Sequence, residues 1–306
     1  MAWIAALCHR LETVASRVVP SRLKRGLKQL HRVYLQARYA FTTGDLRNAL
    51  RRLGVAAGDV LMVHSSFDRL VGFRGGPGAV IRTLQEAVGP GGTLMMPTIS
   101  FTGSAVEHAA RDPVFDARDT PSMVGLITEA FRRSTGVVRS LHPTHSVAVW
   151  GNRAEAIITG HHLTETPCGR PTPYGKLLEY DGKILFAGVP VSSMTFIHFL
   201  EEEIEPQLPF PVFAAEKYAL RWKDETGAVG VATTRLFSPR LAGHRDFTPL
   251  VAELKRRKQW REVQVGCARF TLLRARDVYD AGCALADGGV FCYDQLVYVA
   301  PSGRSA

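Results

Sequence analysis

The chain has 306 residues, 46% of them hydrophobic, and a formal net charge of +10. That suits one large globular domain or two lobes, and no apolar run reaches the roughly 20 residues that span a bilayer. MAWIAALCHR has no basic stretch ahead of its apolar residues and no cleavage site, so it does not read as a signal peptide; five scattered cysteines without CxxC spacing point to reduced thiols in the cytoplasm.

In chain order, the first unit is an arm, residues 1–40. It holds Arg10, Arg17, Arg22, Lys24, Arg25, Lys28, Arg32 and Arg38 against Glu12 alone, so eight charges less one, or seven of the ten in excess, sit here. Leu23, Leu27, Leu30, Tyr34 and Ala37 recur at helical spacing, and residues 3–19 are also amphipathic. Such a helical arm could lie on an anionic membrane surface, giving peripheral contact on the inner face. Alternatively it packs on the main domain or on a second copy in a homo-oligomer, which Gly26 and the modest apolar face favour. No reading-helix motif or aromatic-basic interleaving suggests nucleic acid.

From Phe41 the pattern changes. A helix is expected from Thr43, as N-cap, to Leu53, with Gly54 ending it. The strand Asp59–Val63 follows, then a helix over about 78–88, a strand over Thr93–Met96 and a helix over about 122–133. Ser146–Trp150 is a strand, 152–160 helical, Lys183–Val189 a strand and Thr195–Glu205 a helix. This alternation predicts an α/β fold: a central mixed sheet flanked by helices. Shorter apolar runs at Tyr218–Trp222, Ala228–Phe237 and Val290–Val299 predict an antiparallel C-terminal section on the same core.

Ligands of open α/β sheets bind where strands end, and three such ends carry polar residues. In VHSSFDRLVGFRGGPG, His64, Ser65, Ser66 and Asp68 follow a strand, with Arg74 beyond. Hydroxyls and glycines allow a ligand close to the backbone, although the stretch is neither GxGxxG nor a Walker loop, and a turn bonded to itself would look the same. In GVPVSSMTFIHFLEEEIE, Ser192 or Ser193 could cap a helix placing Thr195, His198, Glu201 and Glu202 on one face. There a carboxylate one turn from an imidazole fixes its tautomer, for catalysis or for burial. In LHPTHSVAVWG, His142 and His145 flank Pro143-Thr144 at the mouth of a strand. Two histidines and a carboxylate also suit a metal, but no HExxH or similar compact spacing is present, and no metal is expected.

Taken together, LGVAAGDVLMVHSSF, GGPGAVIRTLQEAVGPGGTLMMPT, FDARDTPSMVGLITEAFRR, RSLHPTHSVAVWG and GKILFAGVPVSSMTFIHFLEE resemble the aminoglycoside 3-N-acetyltransferase family, from about Phe41 to Glu205 with a weaker tail to about 300. The resemblance leaves the arm outside and makes 41–306 the catalytic domain. It implies direct acetyl transfer from acetyl-CoA to an amine of an amino sugar, as a small-molecule substrate. His64, Ser65, Ser66, Arg74 and Thr195 would hold the donor, and Asp68 and Glu202 the cationic acceptor. Where aminoglycoside-modifying members carry Gly-His-Asp-Ser-Asn-Thr-Thr-Leu-His, this chain has Pro190-Val191-Ser192-Ser193-Met194-Thr195-Phe196-Ile197-His198. Val191 thus stands where the resemblance puts the catalytic histidine. The expected base is therefore His145, or His142, with His198 and Glu201 orienting it. The acceptor is an aminoglycoside, or an amino sugar on a nucleotide or lipid for polysaccharide synthesis. The competing expectation is an inactive ligand-binding or scaffold protein of the same fold; a metal-dependent hydrolase ranks third.

Overall fold

A computed structural model describes residue 29 and residues 33–294. Most of the arm, and 295–299 of the last apolar run, lie outside the described residues. Ten strands lie among the described residues: β1 (Val60–Ser65), β2 (Thr93–Pro97), β3 (Val114–Asp116), β4 (Val137–Arg139), β5 (Val147–Gly151), β6 (Lys183–Ala187), β7 (Phe213–Lys223), β8 (Val229–Phe237), β9 (Arg261–Val265) and β10 (Ala268–Arg274). The helices used below are α1 (Thr43–Leu53), α2 (Pro77–Val88), α3 (Ala105–Ala109), α4 (Leu126–Arg132), α5 (Ala154–Ile158), α6 (Pro173–Glu179), α7 (Ile197–Glu203), α8 (Thr248–Arg256) and α9 (Ala275–Asp287).

The main sheet has seven strands in the order β4-β5-β2-β1-β6-β10-β9. Its centre, β2-β1-β6, is parallel, and antiparallel strands extend it on both sides. β1 is buried throughout because both its faces are covered: Val60 and Met62 join one core, Leu61 and Val63 the other. A strand so placed shows a continuous apolar run and no alternation. α1, α2 and α4 cover one face; α5 to α9 cover the other.

The antiparallel section is divided. β9 and β10 complete the main sheet, whereas β7 and β8 join β3 in a separate three-stranded sheet, with a small core of its own around Ala105 of α3, Leu220 and Leu236. The run from Val290 forms no strand as far as Asp294, apart from one bridge between Tyr293 and Arg245.

Two caps differ from expectation. Thr42, not Thr43, opens α1: its hydroxyl accepts from Asp45 N–H at 3.3 Å while its own N–H donates to Asp45 at 2.8 Å. This is a reciprocal capping box. Neither Ser192 nor Ser193 caps α7; they lie in a 3-10 turn, Val191–Ser193, and α7 starts later without a side-chain cap. The described end of the arm is helical at 33–38, where Val33 and Tyr34 are 53% and 60% exposed and Leu35 is half-buried. Among the described residues no helix is long and apolar enough to cross a membrane.

Candidate active site

β1 ends at Ser65, and the chain turns through a 3-10 segment at Phe67–Arg69. Beside this end lies a cavity of about 540 Å³. His64, Ser65, Ser66, Phe67 and Asp68 form one wall; Pro97, Ile99 and Met123–Leu126 form another, and Ser193 and Thr195 close it from the α7 side. Gly125, at φ +127°, occupies a conformation that a side chain would strain, and it brings the backbone close to the Ser65 carbonyl.

The polar groups of this cavity are left wanting. His64 Nε2 and Ser65 Oγ are buried without hydrogen-bond partners. Thr195 Oγ1, close to the Tyr174 hydroxyl, is likewise buried without a partner in hydrogen-bonding geometry. Each such group costs about 1–3 kcal/mol if it stays unpaired. Burial pushes His64 down to about 3, so it is neutral, and its ring stacks on Phe186 at 5.3 Å. A ligand bringing amides and a carbonyl would satisfy these atoms, and the pantetheine arm and thioester of acetyl-CoA carry both.

Thr195 connects this cavity to a second cluster, since its carbonyl accepts the His198 N–H at 3.1 Å. His198 Nδ1 lies 2.9 Å from Glu201 Oε2. Glu201 also accepts from Arg245 at 2.6 and 2.9 Å and from the Tyr293 hydroxyl at 2.6 Å. Burial alone would raise the Glu201 carboxyl, but the Arg245 charge and the His198 and Arg245 hydrogen bonds outweigh it and bring it to about 2. An ionised carboxylate has no proton to give, so at 2.9 Å His198 Nδ1 carries the hydrogen, and the longer 3.4 Å approach of Arg245 Nη2 to the same nitrogen is a contact of charge. Nε2 is then the lone-pair nitrogen, and no hydrogen bond reaches it among the described residues. Burial and Arg245 lower His198 below its usual 6.5 while Glu201 opposes them. It is therefore unprotonated at neutral pH, with 17% of its side chain exposed.

The two histidines of the LHPTHS turn part ways. His142 is fully buried: its Nδ1 accepts the backbone N–H of Thr144 at 3.4 Å and of His145 at 3.2 Å, and its ring lies tilted against His161 at 4.7 Å. It holds the turn. His145 turns the other way, its ring 5.7 Å from that of His198, with Nδ1 2.9 Å from the Thr144 hydroxyl. Burial, then His198, His161 and Arg245, push it well below the usual histidine range.

The structure thus brings together His145, His198 and Glu201, and separately His64, Ser65, Ser66, Asp68 and Thr195. None of His142, His145 and His198 lines the 540 Å³ cavity. Arg74 is not in its wall either; its backbone N–H bonds Phe41 instead. Glu202 does not share the Glu201 face. It accepts from the Thr166 hydroxyl at 2.6 Å and from Cys168 N–H at 3.0 Å, and burial raises it to about 8, which makes it a loop anchor rather than a free carboxylate for a cation. Adjacent residues on a helix point about 100° apart. Arg245 and Tyr293 escaped sequence reasoning, because only the tertiary fold brings them to α7. Among the described residues no group of three potential ligands is arranged to hold a metal.

Residues 62–286 match a family model described as aminoglycoside 3-N-acetyltransferase. Aminoglycoside N(3)-acetyltransferase VII of Streptomyces paromomycinus is 31% identical over 265 residues, covering 79% of this chain and 90% of the relative. The crystal structure of aminoglycoside acetyltransferase AAC(3)-Xa superposes with a TM-score of 0.73 at 28% identity, covering 86% of this chain and 99% of that one. AAC-IIIb in binary complex with CoASH superposes at 0.68 with 25% identity, covering 83% and 99%.

Proposed function

The chain belongs to the aminoglycoside 3-N-acetyltransferase family, and from that premise we propose that it moves the acetyl group of acetyl-CoA onto an amine of an amino sugar, with His198 as general base. The observation that carries the reading is the His198 Nδ1–Glu201 bond, which leaves Nε2 as a proton acceptor. An ammonium must lose its proton before its nitrogen can attack a thioester. His198 Nε2 takes that proton; the nitrogen attacks the carbonyl carbon, a C–N bond forms, and as the C–S bond breaks the second proton of the now cationic nitrogen passes to the sulfur, which leaves as the thiol. The tetrahedral oxyanion needs a donor, and the Thr195 hydroxyl, in the cavity wall and one turn from His198, supplies one.

This reverses the order expected from sequence, where His145 was the base and His198 its support. His145 is more deeply buried, and no carboxylate bonds it; it borders His198 and shapes its surroundings. Val191 does not argue for loss of activity, because its side chain is buried in the core. A histidine there is not needed to complete the His198 cluster.

The acceptor is an aminoglycoside, or an amino sugar carried on a nucleotide or lipid. The cavity holds Asp68 as its only acidic residue, which suits an acceptor with few amines. Thiol release from acetyl-CoA, measured across polyamine antibiotics and nucleotide- and lipid-linked amino sugars with mass spectrometry of the products, tests this. Acetylated amine is expected with at least one class. Tight CoA binding without thiol release for any amine would favour the ligand-binding alternative.

A further inference from the structure

Arg245 and Tyr293, the two donors that local spacing does not report, face each other across a bridge between loops. Asp246 N–H donates to the Cys292 carbonyl and Asp294 N–H to the His244 carbonyl, each at 2.9 Å, so residues 244–246 and 292–294 form a short antiparallel ribbon. From these facing positions both side chains reach one oxygen of Glu201. Arg245 Nε donates to Oε1 at 2.6 Å, and the Tyr293 hydroxyl does the same at 2.6 Å. Oε2 is left to Arg245 Nη2 and to His198 Nδ1, both at 2.9 Å.

Burial, and then the Glu201 charge, raise the Tyr293 phenol above its ordinary range, so it keeps its proton and donates. Its ring is buried and meets Phe210 edge-on at 5.0 Å, which fixes where the hydroxyl points. The last torsion of a glutamate has a broad, weak preference of its own. Arg245 grips both oxygens from one loop, and Tyr293 ties Oε1 to a second segment of the chain. A hydrogen bond to the ionised form also makes a carboxylate less basic, so the pinned oxygen leaves His198 facing a weaker charge than Glu201 would otherwise offer.

We propose that Tyr293 is a positioning residue for His198: its hydroxyl pins Glu201 Oε1, which aims Oε2 at His198 Nδ1 and sets how strongly the carboxylate draws on that imidazole. The part it plays in acetyl transfer rests on the reading of His198 as the base, whereas its coupling to His198 is readable without turnover. With the hydroxyl removed, Oε1 keeps one donor of two, and the protonated form of His198 is better stabilised. His198 Nε2 then holds a proton further up the pH scale, and the proton acceptor is less firmly aimed.

The test is Tyr293→Phe in the full chain, which keeps the ring on Phe210, read by nitrogen NMR of His198 in the free protein and by kinetics across pH. The His198 resonance, assigned by its loss in His198→Gln, should titrate at higher pH than in wild type. kcat should fall about tenfold through misalignment of the base, KM for acetyl-CoA and for the amine should stay unchanged, and the acid limb of kcat should move up with the imidazole. Neighbouring groups do not mimic this. Burial holds His145, ahead of β5, well below the usual histidine range and raises the Cys168 and Cys292 thiols, the second to about 12. Glu202, raised by burial to about 8, titrates in both proteins and is turned to Thr166, so the difference between them isolates Tyr293.

A variant that loses stability while the His198 titration stays put would make Tyr293 part of the scaffold and overturn the proposal. If Tyr293→Phe does not fold, 3-fluorotyrosine in place of Tyr293 keeps the bond and, as the more acidic phenol, donates more strongly. His198 should then titrate at lower pH, and an unmoved titration overturns the proposal by itself. A His198→Ala enzyme that kept its kcat would overturn the base assignment instead, and the shifted titration in Tyr293→Phe would still support the coupling.

Discussion

The two halves of the candidate site treat their polar atoms in opposite ways. Around Glu201 every strong acceptor position is used: Arg245, Tyr293 and His198 all donate to one buried carboxylate. In the cavity at the end of β1, His64 Nε2 and Ser65 Oγ are buried and unpaired. A satisfied charge network gains geometry at the expense of adaptability, and suits a group that must stand in one orientation before substrate arrives. Unsatisfied groups store a penalty that a ligand relieves, and suit a place where binding is paid for by contacts the free protein lacks. This contrast is what the proposed reaction asks for, with the proton acceptor in the first half and the donor in the second.

The largest expected effect breaks the first half. His198→Ala should lower kcat by roughly 10²–10⁴-fold while CoA affinity, measured calorimetrically, stays near wild type. His145→Ala should cost less than His198→Ala. If the two were reversed, the base would be His145 and the tautomer argument at Glu201 would have identified only its support.

Next is Glu201→Gln, which keeps the shape and removes the charge. Arg245 then becomes a buried cation without its carboxylate, so stability at neutral pH should fall by about 3–5 kcal/mol in denaturant titration. The sign with pH follows from the depressed carboxyl. Its value of about 2 lies below the ordinary 4.5, so its contribution is present above pH 4.5 and is lost as pH falls towards 2. The gap between wild type and variant should therefore close over that window. The acid limb of kcat should move to lower pH, because Glu201 is what raises His198 against burial and Arg245. An acid limb that moved upwards would break the link between the two residues.

Much of this was legible in the chain, for reasons that also mark its limits. β1, β2, β5 and β6 stand out because strands covered on both faces show unbroken apolar runs. β3 and β4, three residues each, are too short to show a period, and β9 (REVQV) is an edge strand with polar residues on it. His198 and Glu201 declared themselves by a spacing of three on one helix. Arg245 and Tyr293 lie 44 and 92 residues beyond Glu201, and are joined to each other by a single bridge between loops. Nothing in local spacing reports such a meeting. Spacing alone put Glu202 beside Glu201 on the His198 side, but neighbours on a helix point about 100° apart, and here Glu202 is turned to the Thr166 and Cys168 loop.

The smallest effect separates the halves most cleanly. Ser65→Ala removes a buried hydroxyl that has no partner in the free protein. If that hydroxyl waits for a ligand, its loss relieves an unpaired group, and the free enzyme should become more stable by about 1 kcal/mol or more. The same change deletes a hydrogen bond in the complex, so the donor should bind roughly three- to tenfold more weakly. Opposite signs for stability and affinity are the signature of a group placed for binding, and denaturant titration beside calorimetry with CoA reads both. A variant less stable than wild type with unchanged CoA affinity would make Ser65 part of the scaffold. The contrast between a completed base and an expectant cavity would then rest on His64 and Thr195 alone.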